Sequence, residues 1–206
     1  PPDVFIGVDA PDFNLTVESQ LKKRGIPTIH YVSPSIWAWR GERIRKIGRA
    51  VSHVLAIFPF EKPLYDAARI PATYVGHPLA DFLPTDPGKQ AMREQLKLPQ
   101  SAPIIAMLPG SRQSELRYMA ELFIRTAKVI ASQNRQVQFL VPLLSRETRT
   151  FFEETLYRLE ARDLPLAILF GHAHDAMIAA DVVLVASGTA TLEADMLMRP
   201  MEITYK

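Results

Sequence analysis

Hydrophobic and polar residues alternate along the chain in two different rhythms. Short apolar runs rich in Val, Ile, Tyr and Phe end in polar or turn residues, a pattern typical of buried strands. Longer amphipathic segments lie between them and predict helices. The predicted strands are 3–9, 28–33, 53–58, 72–76, 104–108, 137–141, 167–170, 182–186 and 201–205. The predicted helices are 14–24, 40–49, 61–69, 87–97, 114–132, 146–161, 174–180 and 189–198.

The order of these segments predicts an α/β fold built from parallel sheets. The strand segments are apolar on both faces and are joined through helices, which is typical of a parallel sheet covered on both sides. The segment 114–132 has the clearest helical period, because Leu116, Met119, Phe123 and Ala127 recur every three or four residues. Right-handed crossovers then favour a doubly wound topology.

A stretch rich in turn residues near the middle of the chain predicts a domain boundary. Pro84 and Pro87 lie among acidic residues in "DFLPTDPGK", and the strand–helix rhythm restarts afterwards. We therefore expect two α/β domains, 1–83 and 84–206, with a cleft between them.

Composition and charge argue against several classes of protein. The 206 residues are 48% hydrophobic and 22% charged, with a formal net charge of +2, which suits a globular chain and not a general nucleic-acid binder. No cysteine is present, which excludes disulfides and thiolate metal sites. No apolar run approaches the ~18–20 residues of a membrane-spanning helix. The motifs HExxH, GxGxxG, GxxxxGK(S/T) and GxSxG are absent, so zinc proteases, dinucleotide enzymes, P-loop NTPases and serine hydrolases lose support.

The loop after the predicted strand 104–108 is a candidate anion site. In "LPGSRQSE", Gly110 lets backbone N–H groups come close to a ligand, and the helix N-terminus that follows Ser111 favours an anion. Arg112 adds a planar guanidinium suited to phosphate oxygens. The alternative is a plain strand–helix loop in which Arg112 makes a surface salt bridge.

The loop after the predicted strand 182–186 repeats this arrangement. Gly188 and Thr189 can offer N–H groups to a diphosphate, and the carboxylate of Glu193, one turn further on, can accept two ribose hydroxyls. The alternative is that Ser187 or Thr189 only caps the helix and that Glu193 only complements its dipole. Because the carboxyl ends of parallel strands meet at one edge, the two loops predict a shared nucleotide-diphosphate site.

Carboxylates and histidines near other strand ends are candidates for acid–base chemistry and substrate contact. Asp9 lies where a general base for a sugar hydroxyl is needed, whereas Asp12 is interpreted as a helix cap. His77 in "VGHPLAD" either contacts substrate or makes a structural hydrogen bond. His172 and His174 flank a turn and are interpreted as surface histidines, with no further metal ligand nearby.

Six segments together resemble one enzyme family. They are "DVFIGVDAPDFN", "IHYVSPSIWAWR", "PFE", "VGHPLAD", "LPGSRQSE" and "ASGTATLE", in this order over nearly the whole chain. The residues in these segments and the spacing between them resemble those of the lipid-A-disaccharide synthase family. The resemblance implies a GT-B glycosyltransferase, in which two Rossmann-like domains face each other across a cleft. It also implies that both domains are incomplete here and that the chain is a fragment.

The resemblance further implies a reaction and a location. An inverting transfer would join UDP-2,3-diacylglucosamine to 2,3-diacylglucosamine 1-phosphate, form a β-1,6-linked disaccharide and release UDP. No cofactor or metal is implied, because helix dipoles and basic side chains stabilise the departing diphosphate. The enzyme would be cytoplasmic and peripheral to the inner membrane, without a nucleic-acid partner, and a homodimer of the full-length enzyme is left open.

The resemblance also implies roles for the candidate site residues. Asp9 would be the general base for the acceptor 6-hydroxyl. Arg112 would hold the UDP phosphates, with Gly110 and Ser111 shaping its loop. The remaining nucleotide contacts would come from Ser187, Gly188, Thr189 and Glu193.

The segment "SPSIWAWRGERIRKIGR" joins aromatic and cationic residues, which nucleic acid, a membrane or a charged lipid-like substrate would each explain. Trp37 and Trp39 are the only two tryptophans, and they lie beside Arg40, Arg43 and Arg45. With the resemblance, the tryptophans suit acyl chains or the lipid interface, and the arginines suit a glycosyl phosphate or anionic head groups. The alternative is one core tryptophan and a solvated basic helix face.

Two other functions remain open at this point. One is another enzyme on the same scaffold, a UDP-N-acetylglucosamine epimerase or a MurG-like transferase, which would act on a non-acylated UDP-sugar. The other is a non-catalytic nucleotide-sugar or lipid-binding module, which would release no UDP.

Overall fold

The chain folds into alternating strands and helices, and the computed structural model describes residues 1–36, 41–84 and 88–205. The strands are β1 (Phe5–Val8), β2 (Thr28–Tyr31), β3 (His53–Ala56), β4 (Ala72–Tyr74), β5 (Ile104–Leu108), β6 (Gln138–Leu143), β7 (Leu166–Phe170), β8 (Val182–Ala186) and β9 (Met201–Thr204). The helices are α1 (Pro11–Lys23), α2 (Arg43–Ala50), α3 (Lys62–Ala67), α4 (Leu79–Phe82), α5 (Lys89–Gln95), α6 (Gln113–Gln133), α7 (Arg146–Arg158), α8 (Ala173–Ala179) and α9 (Ala190–Met196).

The chain divides into two compact units, Pro1–Phe82 and Leu83–Lys206, each with its own parallel sheet. The strand order is β1-β2-β3-β4 in the first unit and β7-β6-β5-β8-β9 in the second. In the second sheet the direction of winding reverses between β5 and β8, and ligands of open α/β sheets bind in the crevice at such a switch point. The predicted α/β class with parallel, Rossmann-like sheets is confirmed.

Each sheet packs against apolar faces of its helices. In the second unit Leu116, Phe123 and Ala127 of α6 are fully buried, which confirms the predicted apolar stripe. In the first unit Ile47 of α2 and Tyr65 of α3 are fully buried in the core. No helix in the described ranges is both long and apolar enough to cross a membrane.

The helices of the first unit differ from the prediction in some of their bounds and in one additional short helix. α1 begins at Pro11 instead of residue 14, because the fixed φ of proline suits the first helical turn, where its missing N–H is not needed. α4 was not predicted, and it is a single short turn that follows His77. The predicted start of the second helix at Arg40 lies outside the described residues, and α2 is observed from Arg43.

A buried arginine ties α5 to the second sheet. Arg93 is 3% exposed and donates to the carbonyl oxygen of Ala179 and to the carboxylate of Asp181, each at 2.8 Å. Asp181 also accepts from Lys89 at 2.8 Å and from the N–H of Ile104 at 2.9 Å. Partial burial alone would raise the pKa of Asp181, but these hydrogen bonds outweigh it and lower the pKa to about 2. The ionised carboxylate therefore fixes α5 against the start of β5.

Candidate functional site

A cavity of about 830 Å³ lies in the second unit, beside the switch point of the sheet. The loops after β5 and β8 both line it, which confirms the prediction that they share one edge. Tyr118, Leu144 and Tyr205 add aromatic and apolar surface that the sequence did not assign to the site. The predicted site residues found in its wall are Gly110, Ser111, Arg112, Ser187, Gly188, Thr189 and Glu193.

The loop after β5 is held by a carboxylate of the helix that follows it. Glu115 Oε2 accepts the backbone N–H of Ser111 at 2.9 Å and that of Arg112 at 3.2 Å. The sequence analysis predicted that backbone N–H groups of this loop bind a phosphate, but these two donate to the carboxylate of Glu115 instead. The Arg112 side chain is 80% exposed and remains the group that can reach a ligand, although Nη1 lies 3.6 Å from Glu115 Oε1. The spacing of a capping box, a Glu three residues after the N-cap, is the signal that sequence reasoning missed.

Gly110 is required by this packing. Its φ is +122°, and a Cβ there would lie 2.7 Å from Glu115 Cβ and 2.9 Å from Oε2. We expect Gly110→Ala to displace Glu115 and to lower the free energy of unfolding by about 1–3 kcal/mol, measured by urea denaturation. Gly188→Ala is the matched control, because the nearest atom to a Cβ there, among the residues that the structure describes, is Ala186 O at 3.9 Å. Equal losses in the two variants would contradict the steric argument.

The loop after β8 leaves backbone donors at the cavity. The N–H of Ser187 donates to Thr204 O at 2.9 Å and joins the loop to β9. Gly188 and Thr189 are exposed, and within the described part of the chain their N–H groups have no acceptor. Thr189 precedes α9 without a capping hydrogen bond from its side chain, so the capping alternative does not hold for it. Gly188 and Thr189 therefore remain available to a diphosphate.

The carboxylate of Glu193 is paired with a histidine. Glu193 Oε2 lies 2.9 Å from His174 Nε2, and both residues line the cavity. The side chain of His174 is 43% exposed, and it also lines the cavity, a placement that the sequence did not indicate. His172 is 63% exposed and bonds Asp175 at 2.7 Å, as a surface residue would. Among the described residues no three His, Asp or Glu side chains are placed to hold a metal ion, so the His174–Glu193 contact is a hydrogen-bonded pair.

Asp9 lies in the first unit, on a turn at the carboxyl end of β1. It is exposed, and both Asp9 (φ 49°) and Ala10 (φ 40°) have left-handed backbone conformations. Asn14, which is 9% exposed, donates its side-chain amide to Val8 O at 3.1 Å and to Asp9 O at 2.8 Å. These two bonds offset the strain of the turn and fix the backbone that carries the Asp9 carboxylate.

His77 and the "PFE" segment form the neighbouring strand ends of the first unit. His77 Nδ1 accepts the N–H of Leu79 at 3.2 Å, which is the structural hydrogen bond of the alternative interpretation. The centroid of the His77 ring also lies 5.6 Å from that of the Phe58 ring. Glu61 is buried and accepts the Phe58 N–H at 3.0 Å. Burial raises the pKa of Glu61, although the bonds from Phe58 and Ser33 act in the opposite direction.

The predicted basic surface of the first unit is only partly described. Arg43 lies 3.2 Å from the carboxylate of Asp12, so these two residues form an ion pair. Asp12 is thus not the helix cap that was predicted, since α1 has no side-chain cap. Arg45 is exposed on α2. Trp37, Trp39 and Arg40 lie outside the described residues.

The chain matches known sequences over its whole length. The family model for lipid-A-disaccharide synthetase matches residues 1–206. The chain is 62% identical over 205 residues to the lipid-A-disaccharide synthase of Chromobacterium violaceum, which covers 100% of this chain and 53% of that protein. It is 62% identical to the synthase of Methylobacillus flagellatus, with 100% of this chain and 54% of that protein covered. The chain thus spans about half the length of these relatives.

Solved structures of two other proteins share the fold. A UDP-GlcNAc 2-epimerase from Neisseria meningitidis bound to UDP-GlcNAc is 13% identical, with a TM-score of 0.64 over 98% of this chain and 59% of that chain. Anabaena HepE in complex with UDP and glucose is 16% identical, with a TM-score of 0.53 over 92% of this chain and 56% of that chain. At these identities the likeness concerns the fold alone, and it confirms the Rossmann-like, GT-B class.

Proposed function

The chain belongs to the lipid-A-disaccharide synthase family, and from this membership we propose that it forms the catalytic part of an inverting glycosyltransferase of lipid A synthesis. The reaction joins UDP-2,3-diacylglucosamine to 2,3-diacylglucosamine 1-phosphate and gives lipid A disaccharide 1-phosphate and UDP. One observation carries this proposal furthest: the loops after β5 and β8 line one cavity at the switch point of the second sheet.

The chemistry requires a base at the acceptor and an anion site at the leaving group. The acceptor 6-hydroxyl attacks C1 of the donor sugar, the bond from C1 to the diphosphate oxygen breaks, and its electron pair leaves with UDP. Asp9 takes the hydroxyl proton, which its exposed position at the carboxyl end of β1 supports. Asp9 holds this proton until the product has left, and then releases it to solvent water.

The nucleotide occupies the cavity of the second unit. Arg112 and the N–H groups of Gly188 and Thr189 bind the diphosphate and stabilise the charge that develops on it. Glu193 binds the ribose hydroxyls. The UDP and UDP-GlcNAc present in the two solved structures of the same fold support a UDP-sugar as the ligand class.

The α2 helix suits contact with an anionic lipid surface, as the basic segment predicts. Arg45, Lys46 and Arg49 are exposed, while Ile47 of the same helix is buried. We expect charge reversal at Arg43 and Arg45 to weaken sedimentation with phosphatidylglycerol vesicles, since each basic residue near such a surface contributes about 1 kcal/mol.

The vesicle experiment has a matched control in the second unit. Arg117 and Arg135 are exposed there, and reversing both changes the net charge by the same amount. Unchanged vesicle binding after reversal of Arg43 and Arg45, or an equal loss in the control, would refute a specific membrane contact by α2.

The proposed reaction is tested by UDP release. Because the chain spans about half the length of its relatives, the assay uses the purified chain and a chimera in which it replaces the matching half of the Chromobacterium violaceum relative. We expect the chimera to release UDP from the acylated donor only when the acyl-sugar phosphate acceptor is present.

Other outcomes of the assay point to other functions. Turnover of non-acylated UDP-N-acetylglucosamine with no activity on the acylated pair would favour an epimerase or a MurG-like transferase. A chimera that binds UDP but releases none from the donor and acceptor would favour a non-catalytic binding module.

A further inference from the structure

We propose that His174 is a positioning residue that holds Glu193 for the ribose of a nucleoside diphosphate, so that the site prefers a ribonucleotide to its 2′-deoxy analogue. The inference deepens the proposed function and rests on it, because Glu193 is assigned to the ribose there.

The backbone before α8 brings His174 to the cavity. Gly171 and His172 are consecutive left-handed residues, with φ values of 72° and 58°, and they turn the chain sharply out of β7. The N–H of Gly171 donates to Leu143 O at 2.8 Å and fixes the turn to β6. The side chain of His172 bonds Asp175 at 2.7 Å and closes the first turn of α8. His174 therefore lies on a backbone that is fixed on both sides.

The contact with Glu193 restrains a flexible side chain. An ionised carboxylate only accepts hydrogen bonds, so His174 Nε2 carries the hydrogen and donates it to Glu193 Oε2 at 2.9 Å. A free glutamate would lose rotamer entropy when it orders against a ligand, which weakens binding. The hydrogen bond from His174 orders the Glu193 side chain before the ligand binds, so binding does not have to offset this loss of entropy. The carboxylate still has lone pairs for ribose hydroxyls, because two oxygens can accept about four hydrogen bonds.

The position of Glu193 fits the ribose and not the phosphates of a bound nucleotide. Gly188 and Thr189, whose N–H groups suit a diphosphate, lie at the start of α9, and Glu193 follows one turn later in the same helix. At about 1.5 Å per residue, the Cα of Glu193 is displaced from that of Thr189 by roughly 6 Å along the axis. A negative side chain there repels a phosphate but accepts hydrogen bonds from a diol. His174 and Glu193 are both only partly exposed, at 43% and 21%, so water competes less with such bonds than at an open surface.

The experiment compares two ligands on the purified chain by titration calorimetry. For the unsubstituted chain we expect UDP to bind roughly tenfold more tightly than 2′-deoxy-UDP, the lower end of the range for one hydrogen bond to a charged group. His174→Ala should remove most of this preference, by weakening UDP roughly fivefold to tenfold and 2′-deoxy-UDP by no more than about twofold. His174→Gln should restore the preference, since its amide nitrogen can replace Nε2 as the donor.

Two further variants separate positioning from a general effect on folding. Gln133→Ala changes an exposed polar residue of the same unit that lies outside the cavity, and it should leave both affinities unchanged. In a Glu193→Gln background, His174→Ala should have no further effect on UDP, because the group that it positions has been altered.

The outcomes distinguish this inference from the proposed function. Equal losses for UDP and 2′-deoxy-UDP in His174→Ala, or an unchanged preference, would overturn the positioning role while the nucleotide site stands. Failure of the unsubstituted chain to bind UDP would overturn both the site and the inference.

Discussion

Asp9→Asn should lower kcat of the chimeric transferase by about 10²–10⁴-fold, the usual contribution of a general base. The acceptor hydroxyl cannot lose its proton to an amide, whereas the size and shape of the side chain are retained. Asn is also among the few residues that tolerate the left-handed backbone at position 9, where φ is 49°. The loss is therefore expected in kcat and not in folding, measured as the initial rate of UDP release from acylated donor and acceptor.

The control for this substitution is the carboxylate of Asp12, which lies in the first turn of α1. Asp12 is paired with Arg43 at 3.2 Å and is not assigned to the reaction, so Asp12→Asn should leave kcat within about twofold. UDP affinity should be equal in the unsubstituted protein and in Asp9→Asn, because the nucleotide residues all belong to the second unit. Normal turnover by Asp9→Asn would rule out the general-base assignment and leave the nucleotide site unaffected.

The fold could be predicted because strand and helix patterns are local. A run such as 182–186 is apolar at every position and has the length of a strand, and the turn residues that follow it favour a strand over a buried helix. The single turn α4 could not be predicted, because it depends on the His77 ring accepting the Leu79 N–H and not on any periodic pattern. The order of the strands in each sheet could not be predicted from the hydrophobic pattern either, although the rule of right-handed crossovers favours doubly wound arrangements.

The sequence predicts the position of the two loops of the candidate site, because strand topology determines it, but not the side-chain contacts within the site. Parallel strands bring the loops that contain Gly110 and Gly188 to one edge, whatever side chains they carry. The pairing of His174 with Glu193 joins residues of two separate elements, and no local spacing signals it. The contact of Glu115 with the loop had a local signal in the sequence, the spacing of a capping box. That spacing indicates that a backbone N–H of the loop donates to Glu115 and is not free for a ligand.

Glu18→Leu should lower the free energy of unfolding of the first unit by about 3–5 kcal/mol, the range for removal of one partner of a buried polar pair. Glu18 Oε1 lies 2.8 Å from His30 Nδ1, and both side chains are fully buried. His30 Nε2 and Glu18 Oε2 have no other partner within the described residues. Without Glu18, both ring nitrogens of His30 would remain buried and unpaired, so the full desolvation cost of the imidazole would oppose folding.

Gly7→Ala should disturb the same pair from the opposite side. A Cβ on Gly7 would overlap Glu18 Oε1 and come within 3.1 Å of Asn14 Cβ, so α1 would have to move away from β1. Gly41→Ala is the matched control, because none of the described residues has a heavy atom within 4 Å of a Cβ placed there. Hydrogen exchange of the β2 amides during urea titration reports the unfolding of the first unit.

A double variant separates the cost of an unpaired polar group from the cost of lost packing. Glu18→Leu combined with His30→Leu removes both polar partners and leaves apolar side chains, so most of the stability lost in Glu18→Leu should return. If the loss came from packing instead, the second substitution would add to the first, since each would disturb the contact of α1 with the sheet independently. A single-variant loss below about 0.5 kcal/mol, the level of an ordinary surface change, would contradict the buried pair as a determinant of stability.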